Sequence, residues 1–164
     1  MRYTALFIAC LALLVLVSDT GLSQANIATQ SLSFTVNPVQ KISLSGTPNP
    51  LVISDGTPGT DALATATDNN TRYSIVHNGT ASKRITAVLD VALPAGTELR
   101  AALATTSGTS AGSVVVPAGT AVNLVTGIPR GADANQPIVY TFSANASVGE
   151  MGPTTRTVTL TLTD

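Results

Sequence analysis

Residues 157–163 read Thr-Val-Thr-Leu-Thr-Leu-Thr, an alternation that puts Val158, Leu160 and Leu162 on one side of an extended chain and four threonines on the other. A period of two marks a half-buried strand, and no helix gathers that apolar set on one face. The pattern recurs at 31–36, where Leu32, Phe34 and Val36 interleave with Ser31, Ser33 and Thr35, and at Ile138, Tyr140, Phe142 and Ala144. The first predicts a leading strand that Asn37-Pro38 ends; the second predicts a strand central to the core.

Further strands are expected around Ile42 and Leu44, over 51–53, 71–77 and 84–91 with Ile85, Ala87 and Leu89 inward, and over 98–104 with Leu99, Ala101 and Leu103 inward. Shorter ones are expected at 114–116 and 121–125, with a strand of small residues at 62–67. Gly, Pro, Asn and Asp punctuate these runs at 46–50, 108–112 and 127–137, which read as loops. Asn78-Gly79 predicts a tight hairpin between 71–77 and 84–91, because Asn and Gly best tolerate positive φ at both central positions. Pro-Ala-Gly-Thr occurs at 94–97 and again at 117–120, and reads as a reused hairpin connection. Roughly eight to ten short strands without helical periodicity predict an all-β antiparallel β-sandwich, Ig-like or pilin-like, with a closed β-barrel as the alternative.

The N-terminus bounds where the chain goes. Arg2 precedes an apolar run over 5–17, too short to span a bilayer but fitting the hydrophobic region of a secretory signal, and Ser23 and Ala25 supply small residues for cleavage after Ala25. Cys10 lies within that run, so acylation there would cut it in half. Removing residues 1–25 from 164 leaves 139, a single-domain length over 26–164 that is expected to be exported. The only cysteine leaves with the signal, excluding disulfides, thiol nucleophiles and cysteine metal ligands. Arg2 and Asp19 leave as well, so 8 basic and 9 acidic residues become 7 and 8, a net charge of −1 without clustered sign. No nucleic-acid partner is expected from that balance.

The chemistry-bearing residues are sparse. His77 is the only histidine, so every histidine-dependent triad or metal scheme would pass through it, yet no nucleophile elbow or metal spacing accompanies it. Asp55, Asp61 and Asp68 with Asn69 and Asn70 match no calcium loop, and Asp and Asn beside Gly are ordinary turn formers. Asp90, Glu98, Asp133 and Glu150 are isolated, and the chain has no Trp to make a sugar platform. No catalytic, metal or cofactor site is expected.

Three stretches carry a resemblance: Ala-Thr-Asp-Asn-Asn-Thr at 66–71, Leu-Pro-Ala-Gly-Thr-Glu-Leu at 93–99, and a closing hairpin that runs Ile-Val-Tyr-Thr-Phe-Ser-Ala (138–144) to Thr-Arg-Thr-Val-Thr-Leu-Thr-Leu-Thr (155–163). With the signal, they resemble bacterial exported β-sandwich proteins that include fimbrial and spore-coat-U-like subunits. The resemblance implies a sandwich subunit assembled outside the cell by strand donation. Chaperone-assembled fimbrial subunits commonly carry a disulfide and a C-terminal aromatic residue, whereas this sequence closes on Leu162-Thr163-Asp164 and has no cysteine after the signal.

The expectation is a non-enzymatic structural subunit at the cell surface, in the periplasm or outside the cell, associating with itself or a related subunit. Leu32, Phe34 and Val36 are the candidate donor strand, and Val158, Leu160 and Leu162 the candidate C-terminal pairing strand. A monomeric adhesin or a carbohydrate- or protein-binding module, using loops 55–70 and 127–137, is the rival.

Overall fold

The structure, a computed structural model, describes residues 27–164. The expected signal over 1–25, with Cys10 in it, lies outside the described residues. The chain divides between Thr35 and Val36. Of the first unit, residues 27–35 are described, and they form no strand. The alternation at 31–36 predicts a half-buried strand; instead Leu32 is 67%, Phe34 86% and Val36 85% exposed. Alternation prepares a segment for pairing, and here no strand among the described residues supplies the partner.

The unit from Val36 onward is an all-β sandwich of two antiparallel sheets, with no closed barrel among the described residues. Its nine strands are β1 (Gln40–Ser45), β2 (Ala66–His77), β3 (Lys83–Leu89), β4 (Thr97–Leu103), β5 (Thr109–Ser110), β6 (Val114–Val115), β7 (Val122–Ile128), β8 (Gly131–Ala144) and β9 (Val158–Thr163). One sheet runs β1-β2-β8-β4-β6 and the other β5-β7-β3-β9. Tyr73, Ile75, Leu99, Leu103, Ile138 and Tyr140 from the first sheet meet Ile85, Leu89, Leu124, Val125, Ile128 and Leu162 from the second, all buried. This is the interdigitated layer that two apolar sheet faces must make to leave water.

Only β1 and β2 are both consecutive and paired; every later connection changes sheet. Asn78-Gly79 therefore makes no hairpin. β2 pairs with β1 and β8, β3 with β7 and β9, and neither Asn78 nor Gly79 takes positive φ. The two Pro-Ala-Gly-Thr segments are likewise corners between sheets, joining β3 to β4 and β6 to β7. They are the same device, since Gly96 and Gly119 both hold positive φ, 85° and 75°. The 138–144 and 155–163 stretches lie in opposite sheets and are not a hairpin either.

Residues 131–137, expected as loop, are the first half of β8. Pro137 is tolerated because its missing N–H falls just past the last paired residue of β4, while its carbonyl accepts the Ala104 N–H at 3.1 Å. β2 also begins earlier than alternation predicts. One extra residue around Asn69–Asn70 makes a bulge, so Asp68 and Thr71 both turn inward and the period of two breaks. A second bulge around Asn135, at φ 56°, sits on β8. Residues 51–53 form no strand, and of the 62–67 run only Ala66 and Thr67 belong to one, while Ala62 and Leu63 make isolated bridges.

Candidate functional site

Each sheet has two edges. β5 and β6, on one side of the sandwich, are two residues long, whereas β1 and β9, on the other, are six residues long. β9 pairs with β3 from Arg84↔Thr163 to Leu89↔Val158, so Val158, Leu160 and Leu162 do pair within their own domain. Its outer side has no partner strand among the described residues.

Two hydrogen bonds fix which groups face outward. The Thr157 carbonyl accepts the Asp90 N–H at 3.0 Å on the β3 side, whereas the Leu162 carbonyl accepts Gln40 Nε2 at 2.5 Å on the β1 side. Backbone groups alternate sides along a strand. The N–H and C=O of Val158 and Leu160 therefore face the open edge, while their side chains share the inward face with Leu162. The Gln40 amide closes the gap between β1 and β9 at one end and leaves it open at the other.

At that open end lies a cleft of about 340 Å³, whose walls include Leu44, Leu51, Leu99, Tyr140 and Val158. Leu44, on the cleft wall, is 52% exposed. The floor is held rigidly. Asp68 accepts the N–H of Asn49 at 3.0 Å and of Asn70 at 3.3 Å, fastening the 46–50 turn to the β2 bulge. Gly46, at φ 81°, passes so close that a Cβ there would overlap the Asn70 carbonyl oxygen. Burial, with a smaller contribution from the Asp68 charge, pushes the Tyr140 phenol above its ordinary pKa and keeps it neutral.

Two polar atoms on the cleft wall are buried without a partner: Thr71 Oγ1, on a residue 3% exposed, and Arg156 Nε. Buried hydrogen-bonding groups are nearly always satisfied, so each unpartnered one calls for a cause.

The remaining candidates do not converge. His77 is buried at the end of β2, its Nε2 2.7 Å from the Pro129 carbonyl and its Nδ1 without a partner. Lys83, also buried, pairs with Asp164. Glu98 pairs with Arg100 at 2.6 Å on the surface of β4. Asp55, Asp61 and Asp68 do not meet, and among the described residues no three His, Cys, Asp or Glu side chains gather as metal ligands.

Sequence reasoning gave Asp133 no role beyond that of an isolated carboxylate. It is 3% exposed and accepts from Thr105 Oγ1 (2.9 Å), Thr106 N (3.0 Å), Thr106 Oγ1 (2.7 Å) and Ser107 Oγ (3.2 Å). This anchors the crossover from β4 to β5, which Tyr73 Oη also holds through the Ala104 carbonyl at 2.6 Å. The run Thr105-Thr106-Ser107 was the available signal, since consecutive hydroxyl residues after a strand can converge on one carboxylate. No helix among the described residues is long and apolar enough to cross a membrane. Compared with protein-family models, curated proteins and solved structures, the chain gives no match.

Proposed function

We propose that the protein is a non-enzymatic structural subunit that is exported and self-associates at a surface or outside the cell, residues 31–36 of one copy pairing with the open β9 edge of the next. The observation that carries this reading is a complementary pair of unmet needs. One segment presents Leu32, Phe34 and Val36 to solvent at alternate positions, and one cleft offers an apolar wall beside unpaired strand backbone. Edge addition supplies backbone hydrogen bonds for affinity and seats alternate side chains for specificity. Burying an exposed Phe, Leu or Val stabilises by about 1.5–3 kcal/mol each, so three such side chains offset much of the cost of ordering a short segment. Near-neutral charge leaves little repulsion between copies.

Mature protein beginning at Asn26, imaged by negative-stain electron microscopy across a concentration series, should form filaments or regular oligomers. Phe34→Asp should abolish them, and a synthetic peptide of residues 30–37 should bind that variant saturably. Uniform monomers at every concentration, with no peptide binding, would sink the proposal.

A further inference from the structure

Building on the strand-donation reading, we infer that Asn78 makes the donation intermolecular, by denying the donor segment the reversal it needs to enter its own cleft. The donor positions end at Val36 and β1 begins at Gln40, so the connection is Asn37, Pro38 and Val39. To close its own cleft, the segment would have to turn back within these three residues and run along its own β1 on the side of β9.

Three hydrogen bonds to one residue hold the connection. Val39 N–H donates to Asn78 Oδ1 at 2.7 Å, the Val39 carbonyl accepts the Asn78 N–H at 3.1 Å, and Asn78 Nδ2 donates to the Asn37 carbonyl at 2.9 Å. Val39 thereby continues the β1–β2 ladder one step beyond Gln40↔His77. Proline fixes φ at position 38, and a residue before proline is driven out of the helical region into extended geometry. A three-residue hairpin loop instead needs helical residues followed by one in the left-handed region. None of residues 37–39 has positive φ.

The consequence is large because a tethered strand competes strongly with a free one. A short flexible tether presents its own strand at an effective concentration on the order of millimolar. At micromolar protein, a chain able to fold back would therefore close on itself and present neither donor nor acceptor. The Asn78 clamp removes that competitor and leaves the cleft to a second copy.

Three variants of the mature protein test this by light scattering and amide exchange. Inserting about six Gly and Ser residues between Val36 and Asn37 leaves the clamp intact and supplies slack for the reversal. That variant should remain monomeric at concentrations at least about tenfold above those at which the parent assembles, with residues 31–36 protected from exchange in the monomer. Asn78→Ala should shift the monomer fraction in the same direction. A folded, insertion-bearing chain that assembles as the parent does, with 31–36 unprotected in its monomer, would overturn the clamp. Phe34→Asp separates the two ideas: if it assembles normally the strand-donation reading fails, and if it stays monomeric while the insertion changes nothing, only the clamp fails.

Discussion

Replacing Asp133 with alanine should cost about 3–4 kcal/mol at neutral pH. The carboxylate is 3% exposed and receives four hydrogen bonds. Bonds to a charged group contribute about 1.5–3 kcal/mol singly but do not add. The Thr105, Thr106 and Ser107 hydroxyls can rotate toward other acceptors, whereas the Thr106 N–H is fixed in place and loses its partner outright. Against a total of about 5–15 kcal/mol for a domain, the loss should lower Tm by about 10 °C or more.

The pH dependence has a definite sign. Burial alone pushes the Asp133 carboxyl up, but hydrogen bonds from Thr106, Thr105 and Ser107 outweigh it and hold the group below the ordinary carboxylate range. Its folded pKa is thus lower than its unfolded one, so its stabilisation is complete above about pH 4 and fades as pH falls through the folded value. Urea denaturation of parent and variant at pH 7 and in acid measures both quantities. A difference below about 1 kcal/mol at pH 7, or one that widens in acid, would refute the anchoring account.

Gly46→Ala should cost roughly 2–4 kcal/mol, since it combines positive φ with overlap on a backbone oxygen, whereas Gly59→Ala, at φ 90° with nothing nearby, should cost only about 1 kcal/mol. Equal penalties by urea denaturation would contradict the close contact under the cleft. Tyr73→Phe keeps a fully buried ring and removes its hydroxyl from the Ala104 carbonyl, for a loss of about 1–2 kcal/mol. Combined with Asp133→Ala it should fall short of additivity by at least about 0.5 kcal/mol, because both hold the same crossover, and a strictly additive double variant would count against that coupling.

What the sequence disclosed follows what alternation can encode. The inward faces Ile85, Ala87, Leu89 and Leu99, Ala101, Leu103 are buried as expected, because regular strands with one wet face obey a period of two. Alternation fails where the backbone inserts a residue. The bulge beside Asn69 hid residues 68–70 and so split β2 into two expected strands, and the bulge at Asn135 with Pro137 made half of β8 resemble a loop. Pairing was less legible still. A turn dipeptide reports local curvature, but whether the next strand lies beside the last or across the sandwich depends on which apolar faces meet. Asn78-Gly79 reads as a hairpin turn, but the bend falls on Thr80 and Ala81, and the burial of His77 and Lys83 on either side accompanies a change of sheet instead of a hairpin. The cleft was illegible because Leu44, Leu51, Tyr140 and Val158 come from four separate stretches.

The distribution of edges bears on what the cleft is for. Folded sheets blunt their edges by shortening, charging or covering them, since unpaired strand backbone recruits other chains. Here β5 and β6 are cut to two residues each, yet β1 and β9 keep six. β9 carries no charged residue from 158 to 163, and β1 carries only Lys41. Both long edges border the same gap, and both could be satisfied by a single inserted strand. If the gap were only a packing defect, the Gln40 bridge to Leu162 would be the beginning of its repair, and lengthening that closure should raise stability without consequence. If it is an acceptor, the same closure removes the edge that the next copy needs. Long side chains of opposite charge placed across the gap, Leu44→Arg with Val158→Glu, should therefore abolish assembly while leaving the monomer folded, whereas assembly unchanged would place the contact between copies elsewhere.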